Sequence, residues 1–351
     1  MTTWSYKEAI DLPYVLVFLQ DLLAIPSPSG YCDTALKRVE QEARSFGFEI
    51  ERTPKQACLI TVPGQSPEIL ALSAHVDTLG AMVRSIKPNG ALRITPVGGY
   101  DMSSIEGEYC TVHTRSGRTI TGTILTSKPS VHVYPDSREL KRDEENYEIR
   151  LDECITRKED TEALGIRTGD YISFDPRTEQ KDSGYIKSRH LDDKAGVACL
   201  FGLLALLKQS GRQPRLTLKL LITSYEEVGH GAAYLPPDIH EMIAVDMGAI
   251  GADLSCTEHD VSICAKDSSG PYDYEMTSRL IRLAEENRLN HAVDIYPRYG
   301  SDASAAMRGG NNIRAALVGP GVHASHSMER THADALRNTI ALLAHYVTDG
   351  E

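Results

Sequence analysis

Residues 215–231 read RLTLKLLITSYEEVGHG, a run of leucines and isoleucine that stops at two adjacent acids, Glu226 and Glu227. Apolar residues occupy both faces of the run, as in a strand covered by other layers on either side. Successive strand side chains point to opposite faces, so one acid of the pair would face a buried layer. A carboxylate there is costly unless something compensates it. The run therefore predicts a buried sheet, with functional groups gathered at the carboxyl ends of its strands, where open α/β sheets hold their ligands.

The flanking sequence supplies the covering layers. KAGVACLFGLLALLKQ (194–209) is apolar almost all round, as a helix packed between layers should be. MIAVDMG (242–248) and IRAALVGPG (313–321) read as further buried strands, and DYEMTSRLIRLAEEN (273–287) and HADALRNTIALLAHYV (332–347) as amphipathic helices. Nearer the amino terminus, LPYVLVFLQDLLAI (12–25) has helical spacing and stops at PSPSG. DTALKRVEQEARSFGF (33–48) is a second amphipathic helix with Ala35, Leu36, Val39 and Ala43 on one side, and ACLITVPG and EILALSAHVDTLG follow as strands. Strands alternating with helices predict an α/β fold with a mostly parallel sheet between helices.

From about Met82 to about Lys181 the pattern changes. RTITGTILT, SVHVY, NYEIRLD and DYISFDP are short, β-branched or aromatic, and divided by Gly, Pro, Ser and Asp. They predict a small all-β domain (82–181) inserted into a catalytic α/β domain formed by 1–81 and 182–351. Within the insert, RKEDTEALGIRTGD reads as one short helix ending at Gly165.

A chain of 351 residues, 41% hydrophobic and 25% charged, is ordinary for a soluble globular protein. Its formal net charge of -12, with no basic patch, argues against nucleic acid as a partner. The 7 cysteines form no CxxC pair and are odd in number, which points to reduced thiols in a cytoplasm. MTTWSYKEAIDLPY lacks the basic-then-apolar pattern of a signal peptide, and the longest apolar run, Ala195 to Leu207, is too short to span a bilayer. A cytoplasmic protein without a membrane partner is expected.

Acids and histidines recur at the predicted strand ends. His75 and Asp77 in SAHVDTLG lie two apart on one face, so Asp77 could hold the His75 ring while a metal takes its other nitrogen. Asp192 and Asp193 in SRHLDDKAGV precede the buried helix; one suffices as a cap, which frees the other to bridge cations. In the acidic pair Glu226 and Glu227, one carboxylate can bind metal and the other can take a proton from water. Asp246 ends MIAVDMG, and HASHSMERTH gathers His323, His326, Glu329 and His332. Each has an ordinary explanation taken singly: a hydrogen-bonded pair, helix caps, a turn aspartate, a surface cluster. Two histidines and three carboxylates, one of them shared, would nevertheless satisfy two zinc-like ions roughly 3.5 to 4 Å apart, with one glutamate left as base.

The ordered set H-x-D, D-D-K, E-E-V-G, V-D and H-S-x-E resembles family 42 of the metallopeptidases, the co-catalytic tetrahedral (TET), deblocking and glutamyl aminopeptidases. The likeness runs from IPSPSG to the last helix. It implies that Asp192 bridges two metals, that His75 and Asp246 complete one site, and that Glu227 and His326 complete the other. Glu226 would be the general base and acid, Asp77 the partner of His75, and the Asp192–Asp193 peptide cis. The inserted β domain would be the family's PDZ-like dimerisation domain, with dimers building tetrahedral dodecamers. Thr78, Leu79 and Gly80 stand where the family has Glu-Ile-Gly, and HASHSMERTH replaces the usual P-x-R-Y-x-H-S; both departures bear on substrate choice. SRHLDDKAGV, KDSSGPYDY, YGSDASAA and SHSMERTH are most similar to a subgroup associated with an N-acetylglutaminylglutamine amide osmoprotectant.

The resemblance implies a hydrolase using two divalent metal ions per chain, zinc first, with cobalt or manganese as alternatives. It would remove amino-terminal residues from small peptides or related amides. A carboxypeptidase or N-deacylase acting on a blocked substrate is the first alternative, because the metal-binding set sees the same amide. A non-catalytic assembly or peptide-binding protein is the second, and the presence of Glu226, needed for catalysis and not for metal binding, speaks against it.

Overall fold

The computed structural model describes residues 5–349. Strands and helices are numbered along the chain. The larger sheet runs in the order β1 (Ile50–Arg52), β2 (Cys58–Val62), β12 (Leu216–Thr223), β3 (Ser66–His75), β13 (Glu241–Val245), β18 (Arg314–Val322), β15 (Val261–Asp267), β16 (Gly270–Pro271). β14 (Gly248–Ala249) adds to β18 and β17 (His291–Ile295) to β15. Its four central strands, β12, β3, β13 and β18, are mutually parallel, whereas β2 on β12 and β15 on β18 are antiparallel. The sheet is thus parallel at its centre and mixed at its flanks.

The helices are α1 (Tyr6–Ala9), α2 (Leu12–Leu23), α3 (Asp33–Ser45), α4 (Lys158–Ala163), α5 (Leu191–Ser210), α6 (Tyr274–Glu286), α7 (Asp302–Arg308) and α8 (Ala333–Thr348). Phe18, Leu22, Leu200, Leu203, Leu336 and Ile340 from α2, α5 and α8 share one core with Leu218, Leu220 and Ile222 of β12. Leu221 of the same strand faces the other way, into a second cluster with Leu235, Ile239, Met242 and Ala306. Burial on both faces explains why the Leu216–Thr223 run is mostly apolar and carries Leu221 as well as Leu218, Leu220 and Ile222. The first turn of α5 is not regular: Asp192 and Asp193 have non-helical dihedrals, and the peptide between them is cis.

The smaller β unit is a closed antiparallel barrel, β4 (Gly80–Ile86), β5 (Leu92–Val97), β8 (Tyr147–Leu151), β7 (Thr119–Thr126), β6 (Tyr109–His113), β9 (Tyr171–Phe174). Val83, Ile94, Val112, Ile124, Ile149 and Ile172 fill it. Closure removes the exposed edges that a small open sheet would present. The SVHVY segment is not one of its strands. Val133 and Tyr134 donate backbone N–H groups to Ser130 O, which makes a turn, and Val131 and Val133 stay exposed. Their apolar alternation mimics a strand, but no neighbour covers it. A third, short sheet joins β10 (Glu179–Gln180), β11 (Tyr185–Ser188) and β19 (Glu329–His332).

Candidate metal centre

The parallel register pairs Thr223 with His75, so β12 and β3 end side by side. Asp246 follows the last residue of β13, and His326 and Glu329 lie where the chain passes from β18 to β19. The kinked start of α5 brings Asp192 to the same edge. His75, Asp77, Asp192, Glu226, Glu227, Asp246 and His326 therefore converge from five separate parts of the chain.

Both histidines present their Nε2 atoms to one carboxylate. His75 donates Nδ1–H to the backbone oxygen of Asp77 (2.9 Å), which turns Nε2 toward Asp192 Oδ1 at 3.2 Å and Glu226 Oε2 at 3.6 Å. His326 donates Nδ1–H to Gly99 O, and its Nε2 faces Asp192 Oδ2 at 3.2 Å and Glu227 Oε2 at 3.6 Å. His75 Nε2 is buried without a hydrogen-bond partner. An imidazole nitrogen this close to a carboxylate oxygen needs a proton or a metal ion between them, and a metal ion takes the place of the proton. Fixing the tautomer through the remote nitrogen is also how proteins orient metal-binding imidazoles. The donor set fits divalent ions: ligand atoms of Asp192, Glu227 and His326 lie within 4.8 Å of one another, as do those of His75, Asp193 and Asp246.

Asp193 has other partners. Its Oδ2 accepts from His75 N (3.2 Å) and its Oδ1 from Gly196 N (3.1 Å), so both oxygens hold backbone groups around the start of α5. Asp192 carries no such bonds on its carboxylate, and its own N–H is held by Glu329 Oε2 (3.0 Å). Glu329 Oε1 also takes the N–H of His326 (3.1 Å), so one buried carboxylate aligns two neighbours of the centre.

Asp77 acts on more than His75. Its two oxygens accept from the N–H groups of Glu226 (3.1 Å) and Glu227 (3.2 Å), and Ser29 Oγ donates to it at 2.5 Å. The acidic pair therefore sits on a turn whose backbone is fixed from below. Asp302 closes the same loop at its base, accepting from Thr223 Oγ1 (2.7 Å) and Ala232 N (2.8 Å). Ser29 and Asp302 were missed in the sequence. They stand in the PSPSG segment, read as a helix stop, and in YGSDASAA, read only as part of the likeness to a subgroup.

Burial shapes the charges. Asp246 is pushed up to about 7, first by loss of water and then by the Asp192 charge. Glu226 and Glu227 rise for the same first reason, reinforced by neighbouring carboxylates. Burial pulls His326 down, but its hydrogen bond to Asp192 and the Glu227 charge outweigh this and carry it to about 10. Burial likewise favours neutral Asp192, yet His326 and His75 hold it below the usual carboxylate range. Among the described residues the ion pairs of Asp192, Glu226 and Glu227 are with His75 and His326 alone. Carboxylates so arranged call for added positive charge. They open into a cavity of about 780 Å³ that Tyr100, Arg298, Tyr299 and Arg308 also line.

A profile of the M42 glutamyl aminopeptidase family matches residues 57–342. YhfE of Bacillus subtilis (strain 168), named as an aminopeptidase, is 47% identical over 331 residues, 94% of this chain and 96% of that protein. The glutamyl aminopeptidase of Lactococcus lactis subsp. cremoris (strain MG1363) is 28% identical over 212 residues, 59% of this chain and 58% of the relative. Among solved structures, the TET aminopeptidase of Thaumarchaeota archaeon SCGC AB-539-E09 superposes with a TM-score of 0.87 at 18% identity, over 95% of this chain and 96% of the other. The Pyrococcus horikoshii TET1 peptidase, which can assemble into a tetrahedron or a large octahedral shell, does so with a TM-score of 0.83 at 22% identity, over 96% and 100%.

Proposed function

Because the chain belongs to the M42 glutamyl aminopeptidase family and is a metal-dependent aminopeptidase, we propose that two divalent ions, zinc first, occupy the edge at which its parallel strands end. Asp192 would bridge them, His75 and Asp246 would hold one, and Glu227 and His326 the other. The observation that carries this reading is the placement of two imidazole Nε2 atoms on the two oxygens of Asp192, each at 3.2 Å. When bound, such ions polarise the scissile carbonyl and make water acidic enough to attack near neutral pH.

The chain's own groups do the rest. Glu226 stands beside the His75 Nε2 that faces Asp192, takes the proton of the attacking water, and returns it to the leaving nitrogen. Its burial, which raises its proton affinity, suits a group that must accept and then release a proton. Asp77 fixes the turn that presents Glu226 and Glu227, and its carbonyl fixes the His75 tautomer. Glu329 keeps Asp192 and His326 in register.

Residues 82–181 would form the dimerising unit beside a catalytic unit of 1–81 and 182–351, and the subunits would assemble as dimers or larger shells. Exposed Tyr109, Val131 and Val133 on the barrel and its loop support a contact there. The described cysteines are all free, which fits a reducing cytoplasm, and no described helix is long and apolar enough to cross a membrane.

The test is a substrate panel with metal analysis. Aminoacyl anilides and small peptides with a free α-amino group should be cut, and chelation should stop the reaction. Cleavage confined to acylated substrates, among them N-acetylglutaminylglutamine amide, would replace the aminopeptidase reading with an N-deacylase or carboxypeptidase one.

A further inference from the structure

A second group of metal-binding side chains lies outside this centre. His259 precedes β15, His332 ends β19, and Asp334 stands in the first turn of α8. Their ligand atoms lie within 4.8 Å of one another. Asp334 Oδ2 is 3.3 Å from His259 Nδ1 and 3.2 Å from His332 Nδ1. Two ligands roughly 2.0 to 2.2 Å from one tetrahedral zinc stand about 3.3 to 3.6 Å apart, so these separations are near a coordination edge.

The outer contacts favour a cation. His332 Nε2 is 2.9 Å from Ser183 O, an acceptor, so this nitrogen carries the hydrogen. His332 Nδ1 is then a lone pair. It receives the N–H of Asp334 at 3.0 Å, capping α8, and lies 3.2 Å from that residue's carboxylate. The remote nitrogen of His259 is in turn within 3.3 Å of the Tyr185 hydroxyl. Each imidazole therefore has its far nitrogen beside a polar partner and its near nitrogen within 3.3 Å of one carboxylate, His259 by a hydrogen bond that an ion would replace.

The backbone is already gathered. His332 N donates to Glu258 O (3.2 Å), and Asn338 Nδ2 donates to His259 O (2.9 Å), which ties the 257–260 loop to β19 and α8. Arg337 approaches the other Asp334 oxygen at 3.5 Å and leaves Oδ2 to the histidines.

We propose that His259 Nδ1, His332 Nδ1 and one oxygen of Asp334 bind a divalent ion of zinc type, separate from the ions of the catalytic centre. Water completes its coordination, and the ion takes the His332 lone pair in place of the Asp334 N–H. The site shares no ligand with the cavity, so its role is to clamp the loop at 257–260 and the start of α8 to the strand that carries Glu329.

The test compares the full-length protein with His259→Gln/His332→Asn after chelation and dialysis against buffered zinc. Asn at position 332 keeps an acceptor for the helix start. The parent should bind one more zinc per chain than the variant, whatever number the catalytic centre takes, and the two should cleave an aminoacyl anilide at the same rate when loaded. Equal zinc content would overturn the proposal. If the double variant fails to fold, His259→Gln alone should weaken the extra zinc by about tenfold or more. Unaltered zinc binding in that variant would also overturn it.

Discussion

Asp77 is fully buried beneath the turn that carries the acidic pair. Its oxygens hold the N–H groups of Glu226 and Glu227, while its carbonyl, not its carboxylate, takes the His75 ring hydrogen. Asp77→Asn places an amide against two backbone donors and can satisfy only one of them. The turnover rate should fall about 10- to 100-fold, the scale seen when supporting groups of metal ligands are changed, with a much smaller change in KM. Steady-state kinetics at saturating metal checks this; an unchanged turnover number would remove Asp77 from the account. The residues gathered here were legible in the sequence because chemistry left a trace: paired acids after apolar strands, and histidines near strand ends. Their division of labour was implied by the family resemblance and by no local pattern. That Asp193 holds backbone groups while Asp192 faces both imidazoles depends on the dihedrals of two adjacent residues, and D-D as a string is symmetric.

At the scale of elements, the site depends on close packing between strand ends. A Cβ on Gly319 of β18 would run into the backbone oxygen of Asp246, and one on Gly196 of α5 into Val245 O and the Asp193 carboxylate. Gly319→Ala should therefore push the end of β13 away and destabilise the fold by about 1–3 kcal/mol, as overpacking does. Denaturant titration would measure the loss, and a variant as stable as the parent would show that the backbones have room to part. The elements around this edge could be read from sequence because β12 and α5 are largely buried and their apolar runs are long. The barrel was legible as a β unit but not as a closed one. Its strand order rests on pairings such as Cys110 with Phe174, distant in sequence and written in no local pattern. SVHVY shows the converse, a strand-like pattern in a turn that nothing covers.

For the whole molecule, the buried acids couple folding to metal and protons. In metal-free protein Asp246 is raised to about 7 and Glu329 to about 8, in both cases first by burial and then by the Asp192 charge. Between the ordinary carboxylate value and these values, each binds more protons folded than unfolded. His326, carried to about 10 against its burial, does the same above the ordinary histidine value. Asp192, held low, changes only in more acidic solution and does not oppose them. From about pH 5 to about pH 8 these groups therefore lower the stability of the metal-free protein as pH rises. Bound ions take the place of those protons, so metal binding strengthens over the same range. Thermal melts with chelator and with zinc should separate progressively as pH rises; a gap that narrows would contradict the coupling. The division of roles, with Glu226 moving the proton while His75, Asp192, Glu227, Asp246 and His326 hold the ions, is tested most directly by Glu226→Gln, assayed for metal content and aminoacyl anilide turnover in one preparation. The predicted result is parental metal content with turnover lower by about 10²- to 10⁴-fold. Parental turnover, or loss of the metals together with activity, would contradict it.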